Sequence, residues 1–343
     1  MKRRDLIKGM AMLPFAAGAA FGDARKKTMT VIKPSRLKRG DTIALVAPSS
    51  GVSDQEYERA MQNFADLGLK VKVGKYVRAV NGFLAGTDEQ RIEDLHWAFG
   101  LREASAVWCI RGGYGLTRIL PRLDYELIKR NPKLVIGFSD ITALLVAIHQ
   151  RTGLVTVHGP VGTSNYTEYT RGNATAVLMD AATPHKISTA PDNAAKGTLL
   201  YTTAVIAKGK ARGRLLGGNL SLLTAMAGTP FGLKDVKGKI LFLEDVGERP
   251  YRVDRMLVQL RQSVKLEEAA GIALGIFDRC DAPDDKSQSV VDVVRDQLGG
   301  LGVPVIYGLS FGHIRDLFTL PLGVEAELDT EAATLTLLES AVV

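Results

Sequence analysis

Short apolar segments alternate with capped helical segments along residues 41–158, and this alternation constrains the fold more than any other feature of the sequence. Ser53 with Glu56 and Thr87 with Gln90 are capping-box pairs, which mark the first turns of two helices. The predicted strands lie at 41–48, 69–73, 104–110, 134–138 and 155–158. The predicted helices lie at 53–67, 87–99, 115–122 and 141–151. This order predicts an α/β fold with a mostly parallel sheet and helices on both of its faces.

The pattern changes twice further along the chain. Residues 166–205 are rich in Thr, Asn, Asp and Pro and contain one predicted helix at 171–182, which is typical of a connecting segment. Later strands are predicted at 240–244, 272–277 and 304–307, with a terminal hairpin at 326–328 and 333–338. Later helices are predicted at 219–227, 252–262 and 289–298. We therefore expect an N-terminal α/β domain over 30–165 and a smaller, strand-rich C-terminal α/β domain over 206–343.

The positive charge of the chain is concentrated at its N-terminus. The formal net charge is +7, but residues 1–27 hold seven basic and two acidic side chains, so the remainder carries only +2. A nearly neutral body does not favour a nucleic-acid partner, since such partners select large basic surfaces.

The N-terminal tail has the pattern of an export signal. A basic start is followed by uncharged, mostly apolar residues at 9–22 and by small residues that allow a cut after Gly22 or Ala24. The adjacent Arg3 and Arg4 indicate the twin-arginine route, so we expect a signal over 1–24 and a periplasmic protein. A basic tail without this role is the alternative. The 9–22 stretch would span only about 21 Å as a helix, so no membrane span is expected.

The two cysteines, Cys109 and Cys280, each end an apolar stretch, and neither has a second cysteine at CxxC spacing. A structural zinc site is therefore not expected, and neither is any other metal or cofactor. Two separate, half-buried thiols are the favoured interpretation. A disulfide between them remains the alternative for an exported protein.

In open α/β sheets, binding and active sites lie beyond the carboxyl ends of the strands. The glycine pair Gly112-Gly113 follows the strand at 104–110. Two adjacent glycines allow another group to approach the backbone closely, and their exposed N–H groups could bind an anion or an oxyanion. The alternative is that the pair only forms a tight turn. Ser139 lies at a strand-to-helix turn with its hydroxyl exposed near a helix N-terminus. Ser139 or Asp140 could instead simply cap that helix.

Two later strand ends carry further candidates. Glu244 and Asp245 follow the strand at 240–244, where they could orient a histidine, ligate a metal or form ion pairs with nearby arginines. His313 lies in a glycine-flanked loop after the strand at 304–307, although an isolated loop histidine is usually only solvated.

Taken together, Ser139, Glu244 and His313 give the chain order of a serine nucleophile, an orienting carboxylate and a base. A serine hydroxyl needs a base to remove its proton, and the base needs a carboxylate that holds its tautomer and stabilises its cation. Backbone N–H groups near Gly113 and Asp140 would complete an oxyanion hole.

These motifs together resemble the LD-carboxypeptidase family, the muramoyltetrapeptide carboxypeptidases of cell-wall metabolism. The resemblance extends from about residue 41 to 329 and rests on blocks that follow one another in order. The blocks are Arg111-Gly-Gly-Tyr-Gly115, Gly137-Phe-Ser-Asp140, His158-Gly-Pro160, Leu216-Gly-Gly-Asn-Leu220, Leu243-Glu-Asp-Val-Gly-Glu248, Pro250-Tyr-Arg-Val-Asp-Arg-Met-Leu257, Phe311-Gly-His313 and Leu320-Pro-Leu-Gly323.

The resemblance implies a Ser-Glu-His triad of Ser139, Glu244 and His313, with oxyanion donors at the backbones of Gly113 and Asp140. It also implies two domains that face each other across a cleft. The implied reaction removes the terminal D-alanine of a murein tetrapeptide, free or linked to peptidoglycan, by cutting an L,D-peptide bond through an acyl-enzyme.

A substrate with a terminal carboxylate needs a cationic anchor, for which Arg111 and Arg252 are candidates, and Asn219 is a further candidate for substrate binding. The acidic loop Asp278–Asp285 has no assigned role, and the oligomeric state is open, with a homodimer as one alternative. Two other functions remain open: an immunity peptidase of the same family that cleaves peptidyl-nucleotide antibiotics, and a periplasmic binding protein without catalysis.

Overall fold

The structure is a computed structural model that describes residues 30–284 and 286–343. The predicted export signal at 1–24 and the last residue of the acidic loop, Asp285, lie outside the described residues. The strands are β1 (Thr42–Val46), β2 (Lys70–Val73), β3 (Ala104–Cys109), β4 (Leu134–Gly137), β5 (Thr156–His158), β6 (His185–Ile187), β7 (Ala204–Ala207), β8 (Lys210–Asn219), β9 (Lys239–Glu244), β10 (Gly271–Ile276), β11 (Val305–Gly312), β12 (Leu320–Leu322), β13 (Glu325–Asp329) and β14 (Thr334–Leu337). The helices are α1 (Asp54–Asp66), α2 (Asp88–Gly100), α3 (Leu116–Ile119), α4 (Tyr125–Arg130), α5 (Thr142–Thr152), α6 (Glu168–Leu178), α7 (Pro191–Ala194), α8 (Leu220–Ala225), α9 (Pro250–Ser263) and α10 (Val290–Leu298).

The first sheet of the described residues has the strand order β12-β5-β4-β3-β1-β2, and its first five strands in the chain are parallel. This confirms the predicted parallel sheet. Both predicted capping boxes are formed, at Ser53 with Glu56 and at Thr87 with Gln90, because each pair satisfies two N–H groups that a helix start leaves open. The carboxyl ends of β3 and β4 meet at one edge, where the glycine pair and Ser139 follow.

The second sheet has the order β6-β14-β13-β8-β9-β10-β11-β7 within the described part of the chain. Its centre, β8 to β11, is parallel, and the outer strands are antiparallel, including the predicted terminal hairpin of β13 and β14. The mixed α/β architecture with a second, strand-rich sheet is therefore confirmed. Because β9, β10 and β11 are parallel neighbours, the loops that follow them lie side by side.

The long strand β8 was missed by the sequence analysis. Its last residues are Gly217, Gly218 and Asn219, which look like a turn in the sequence. The structure requires glycine at 217, which has φ 147°, because a Cβ there would overlap the carbonyl oxygen of Phe242 on the neighbouring strand β9. Glycines that normally indicate a turn here allow two strands to approach closely.

Two other boundaries differ from the prediction. Helix α6 begins at Glu168, three residues before the predicted 171, because the Thr167 side chain accepts a hydrogen bond from the Thr170 N–H and so caps an earlier first turn. Strand β11 continues to Gly312, so His313 follows it directly.

The C-terminal part of the chain also contributes to the first sheet, since β12 pairs antiparallel with β5. Residues 31–343 form one compact unit. The domain boundaries at 165 and 206 stay predictions. Within the described residues, no helix combines the length and the apolar character that crossing a bilayer requires.

Candidate active site

Ser139 lies on a sharp turn between β4 and α5. Its φ is 65°, a left-handed conformation that non-glycine residues adopt rarely and that is often found at functional sites. It begins a short 3₁₀ turn, Ser139–Ile141, that leads directly into α5. The side chain is partly exposed, so the hydroxyl is accessible beside the start of a helix.

The glycine pair after β3 lies against this turn. A Cβ on Gly112 would come within 2.9 Å of the Ser139 Cβ, and a Cβ on Gly113, which has φ 117°, would overlap the Ser50 Oγ. Ser50 is bound to the same loop, since its Oγ accepts from the Tyr114 N–H at 3.2 Å. The close approach that the sequence predicted for the pair is therefore present, and Ser50, which the sequence analysis did not consider, supports it.

Two backbone N–H groups are available beside the Ser139 hydroxyl. The Gly113 N–H makes no hydrogen bond within the described residues. Asp140 is the second residue of the 3₁₀ turn, and the first N–H groups of such a turn have no partner inside it. These are the two donors predicted for an oxyanion hole, and that role stays a prediction.

The Asp140 side chain has a separate function in the fold. Its Oδ2 accepts hydrogen bonds from the Ser49 Oγ at 2.6 Å and from the Leu116 N–H at 3.0 Å. The carboxyl is buried, and burial raises its pKa. Asp140 thus joins the ends of β1 and β4 to the start of α3, which holds the Ser139 turn in position.

Glu244 and His313 form a buried hydrogen-bonded pair. The Glu244 Oε2 lies 2.7 Å from the His313 Nδ1, and Glu244 is fully buried. Burial alone would raise the pKa of Glu244, but the charge and hydrogen bond of His313 hold that pKa below its ordinary value. Burial alone would lower the pKa of His313, but the Glu244 charge and hydrogen bond outweigh it and raise that pKa. The pair therefore favours an ionised carboxylate beside an imidazole that is more basic than an ordinary histidine.

The Ser139 turn meets the Glu244–His313 pair through an aromatic contact. The Phe138 ring packs edge-on against the His313 ring, with 4.9 Å between centroids. No hydrogen bond joins the Ser139 hydroxyl to His313 in the described residues. Such contacts are often long without substrate and tighten when it binds. The structure thus brings the three predicted residues to one site.

A fourth residue, His158, lies beneath this site. It is fully buried, and its ring lies between those of Phe138 and Phe242, with centroid distances of 5.9 Å and 5.4 Å. Neither ring nitrogen has a hydrogen-bond partner in the described residues. Burial lowers its pKa to about 4, so it is neutral near pH 7. The sequence alone assigns no role to the His158-Gly-Pro160 block, and in the structure His158 lies under the contact between Phe138 and His313.

Asp245 is a structural residue, although it follows Glu244 directly. It is buried and accepts hydrogen bonds from the Ser221 hydroxyl at 2.7 Å and from the Val246 N–H at 2.8 Å. Burial and the neighbouring Glu244 charge raise its pKa to about 6. Of the two adjacent carboxylates, only Glu244 reaches the histidine.

The predicted substrate-binding residues all have partners within the fold. Arg111 donates to the Gly51 carbonyl at 3.1 Å and pairs with Glu56 at 3.2 Å, and Arg252 pairs with Glu248 at 3.5 Å. Asn219 is buried, caps α8 and donates to Asp245 at 3.2 Å. A substrate contact of any of them stays a prediction.

A residue that the sequence analysis missed, Arg279, lies next to the pair. Strand β10 runs between β9 and β11, so the loop after it lies between Glu244 and His313. Arg279 in this loop has φ 54°, and its side chain is 75% exposed and pairs through Nε with Asp278 at 3.2 Å. The positive charge of Arg279 acts to lower the pKa of His313, against the larger effect of Glu244. The sequence feature that could have identified Arg279 is its position just after the strand predicted at 272–277, within the acidic loop that had no assigned role.

The two cysteines are separate thiols, as favoured from the sequence. Cys109 and Cys280 are both free, and they are buried rather than half-buried. Burial raises the pKa of each thiol. Among residues 30–284 and 286–343, no group of three or more His, Cys, Asp or Glu side chains is arranged to hold a metal ion.

The chain is similar to known proteins over most of its length. The chain matches the family models described as the LD-carboxypeptidase N-terminal domain, over residues 43–159, and the LD-carboxypeptidase C-terminal domain, over residues 212–328. It is 38% identical over 308 residues to the probable murein peptide carboxypeptidase of Bacillus subtilis, which covers 88% of this chain and 93% of that protein.

Two solved structures are similar over most of the chain. The muramoyltetrapeptide carboxypeptidase from Oxalobacter formigenes is 32% identical, with a TM-score of 0.74, over 86% of this chain and 97% of that one. The microcin C7 self-immunity protein MccF, in complex with aspartyl sulfamoyl adenosine, is 25% identical, with a TM-score of 0.81, over 91% of this chain and 100% of that one.

Proposed function

We propose that this chain, which belongs to the LD-carboxypeptidase family, is a serine carboxypeptidase that releases the terminal D-alanine of murein tetrapeptides. The observation that carries the proposal is the hydrogen bond of 2.7 Å between the buried Glu244 and His313, beside the strained Ser139 turn. A buried carboxylate on Nδ1 leaves Nε2 as the nitrogen that faces a substrate, which is the arrangement that general-base activation of a serine needs.

In the proposed reaction, the Ser139 Oγ attacks the carbonyl carbon of the L-configured residue while His313 takes the hydroxyl proton. The oxyanion accepts hydrogen bonds from the N–H groups of Gly113 and Asp140, and Glu244 stabilises the imidazolium. His313 then gives its proton to the leaving amine, so D-alanine departs and an acyl-enzyme remains. A water molecule, deprotonated by His313, hydrolyses that ester and restores the Ser139 hydroxyl.

The test is product analysis by mass spectrometry with an L,D-linked tetrapeptide, both free and linked to peptidoglycan. The expected products are a tripeptide and one equivalent of D-alanine. A tetrapeptide whose last residue is L-alanine is the control and should stay intact. Recovery of both tetrapeptides unchanged would exclude the proposed substrate.

The proposal includes export, as the sequence of the N-terminal tail predicts. A periplasmic enzyme meets murein directly, so its substrate would be polymer-linked as well as free peptide. If only the free tetrapeptide is cleaved, the enzyme acts on recycled fragments instead.

A second candidate function rests on the similarity to the microcin C7 self-immunity protein MccF over 91% of this chain. An immunity peptidase would cleave a peptidyl-nucleotide rather than a murein peptide. An aminoacyl sulfamoyl adenosine in the same assay separates the two: the murein enzyme leaves it intact at concentrations at which it cleaves the tetrapeptide.

Arg279 is the proposed anchor for the terminal carboxylate of the substrate. It lies between the Glu244 and His313 loops, its side chain is mostly exposed, and its one ion pair among the described residues is with the neighbouring Asp278. Arg111 and Arg252 are the competing candidates from the sequence. A planar guanidinium binds a carboxylate through two hydrogen bonds, whereas it gains nothing comparable from a carboxamide.

Arg279→Met is therefore expected to lower kcat/KM for the tetrapeptide by about 10- to 100-fold, mainly through KM. Wild-type enzyme should prefer the free acid over a tetrapeptide with a terminal carboxamide, and the variant should lose that preference. Arg111→Met and Arg252→Met are the matched controls. If either control loses the preference while Arg279→Met keeps it, that arginine is the anchor.

A further inference from the structure

A cavity of about 640 Å³ lies beside the loop that carries His313. Its walls come from the first turns of α6, from the start of α7 and from Arg315 and Asp316. We call it the 315–316 pocket. A hydrogen bond of 2.8 Å from the Phe318 N–H to the Ser310 carbonyl closes the loop that carries His313. Arg315 and Asp316 therefore lie in the same short loop as His313.

Asp316 in this pocket is a buried carboxylate without a partner. It is only 3% exposed, and its side chain makes no hydrogen bond or ion pair within the described residues. Its carbonyl accepts from the Asn193 Nδ2 at 2.9 Å, and the Asn193 Oδ1 is a second buried acceptor without a donor. Leaving acceptors of this kind unpaired in the protein interior is costly, so the pocket is short of hydrogen-bond donors.

The charges around the pocket indicate what would supply those donors. Glu168, Asp192 and Asp316 are acidic, and Arg315 is the single basic residue among the pocket-lining residues that the structure describes. Arg315 is exposed, and its guanidinium makes no ion pair there. An ammonium group offers three donors and a positive charge, which matches Asp316, and a carboxylate on the same ligand would match Arg315.

The pocket is also within reach of the bond that would be cut. The Cα atoms of His313 and Arg315 are at most about 7.6 Å apart, since only Ile314 lies between them and each Cα–Cα step is about 3.8 Å. In the proposed substrate, the residue that contributes the scissile carbonyl is a diamino acid, whose side chain extends several carbons from that carbonyl and ends in an amine.

We propose that the 315–316 pocket binds the amino end of that diamino-acid side chain, with Asp316 accepting from its ammonium and Arg315 binding its carboxylate where the side chain carries one. The inference rests on the proposed function. It makes Asp316 and Arg315 determinants of which murein peptides are cleaved, separate from the anchor for the terminal carboxylate.

The test compares three tetrapeptides that differ only in the third residue: norleucine, lysine and meso-diaminopimelate. The wild-type full chain should cleave the lysine peptide with a kcat/KM about tenfold above that of the norleucine peptide, and the diaminopimelate peptide better still. Asp316→Asn should remove the advantage of lysine over norleucine. Arg315→Gln should bring diaminopimelate down to the level of lysine and leave lysine unchanged.

Asp180→Asn, an exposed carboxylate beyond the end of α6, is the control and should leave all three ratios unchanged. Equal cleavage of the three peptides by the wild type would overturn the inference. So would an Asp316→Asn variant that loses activity equally on all of them, because that result indicates a purely structural carboxylate.

Binding of the same peptides to the Ser139→Ala full chain, measured by calorimetry, separates this inference from the proposed function. One outcome is that no peptide is cleaved by the wild type, but the lysine peptide binds more tightly than the norleucine peptide and Asp316→Asn removes that difference. The assignment of the pocket is then supported, and the proposed reaction is wrong. If D-alanine is released without such selectivity, the reaction stands and the pocket assignment is wrong.

Discussion

Ser139→Ala is expected to lower kcat for D-alanine release by about 10⁴- to 10⁶-fold, because it removes the hydroxyl that would form the acyl-enzyme. The hydroxyl lies on a turn held at φ 65° and beside two available N–H donors, so removing one oxygen removes the nucleophile while the turn stays in place. The residual rate would come from substrate binding and the oxyanion donors alone.

The measurement is single-turnover D-alanine release, with labelling of Ser139 by a serine-reactive fluorophosphonate as a second readout. The wild type should be labelled and the variant should not. Ser263→Ala, at the end of α9, is the matched control and should keep activity within about twofold, as surface substitutions usually do. Full activity in Ser139→Ala would remove Ser139 as the nucleophile, and tight peptide binding without any turnover in the wild type would favour a binding protein.

Glu244→Gln is expected to lower kcat by about 10³- to 10⁴-fold with little change in KM. The carboxylate holds the proton of the neutral imidazole on Nδ1 and leaves Nε2 free to act as the base. The amide keeps the size of the carboxylate but can present an N–H₂ group to the His313 Nδ1, which favours the tautomer in which Nε2 carries the proton and cannot accept another. It also removes the negative charge that stabilises the imidazolium. Glu244 is fully buried, so solvent cannot replace either effect.

The same pair determines how activity depends on pH. His313 must be neutral to take the Ser139 proton, and Glu244 raises the pKa of His313 despite the opposing effect of burial. Activity of the wild type is therefore lost as the pH falls through a His313 pKa that lies above the ordinary histidine value of about 6.5. In Glu244→Gln the acidic limb of the profile should move to lower pH, because burial then acts without the carboxylate.

A kcat/KM profile from pH 5 to 9 for both proteins measures this shift. Glu103→Gln, which replaces an exposed carboxylate paired with Lys72, is the control and should leave the profile unchanged. An acidic limb that stays at the same pH in Glu244→Gln would show that the limb does not report His313.

Local patterns predicted most of the regular elements. The capping boxes at Ser53 and Thr87, and the apolar segments that became β1, β3, β4 and β9, follow from contacts within a few residues, so they can be read from the chain. Strand β8 could not be predicted in this way, because its Gly217 reflects a contact with a neighbouring strand: a Cβ there would overlap the Phe242 carbonyl oxygen. Strands β6 and β12 were also not predicted; each has only three residues and lies at the edge of its sheet.

The candidate catalytic residues were identifiable for a related reason. Ser139 and His313 come just after parallel strands and Glu244 is the last residue of one, and parallel strands bring their carboxyl ends to one edge of a sheet. The supporting contacts were not identifiable, because they join residues distant in the chain. The Ser49 hydroxyl on Asp140 and the Phe138 ring on His313 are examples.

The sequence by itself determined the alternation of strands and helices, the turn that exposes Ser139 and the order of the three candidate catalytic residues. These depend on local hydrogen bonding and on the period of apolar residues. Only the tertiary structure decided the surroundings of the charged side chains. Arg111 pairs with Glu56, Arg279 lies between the loops of Glu244 and His313, and the Asp316 carboxylate has no hydrogen-bond or ion-pair partner among the described residues. Charge interactions depend on distance and burial, and both are set by which segments pack together.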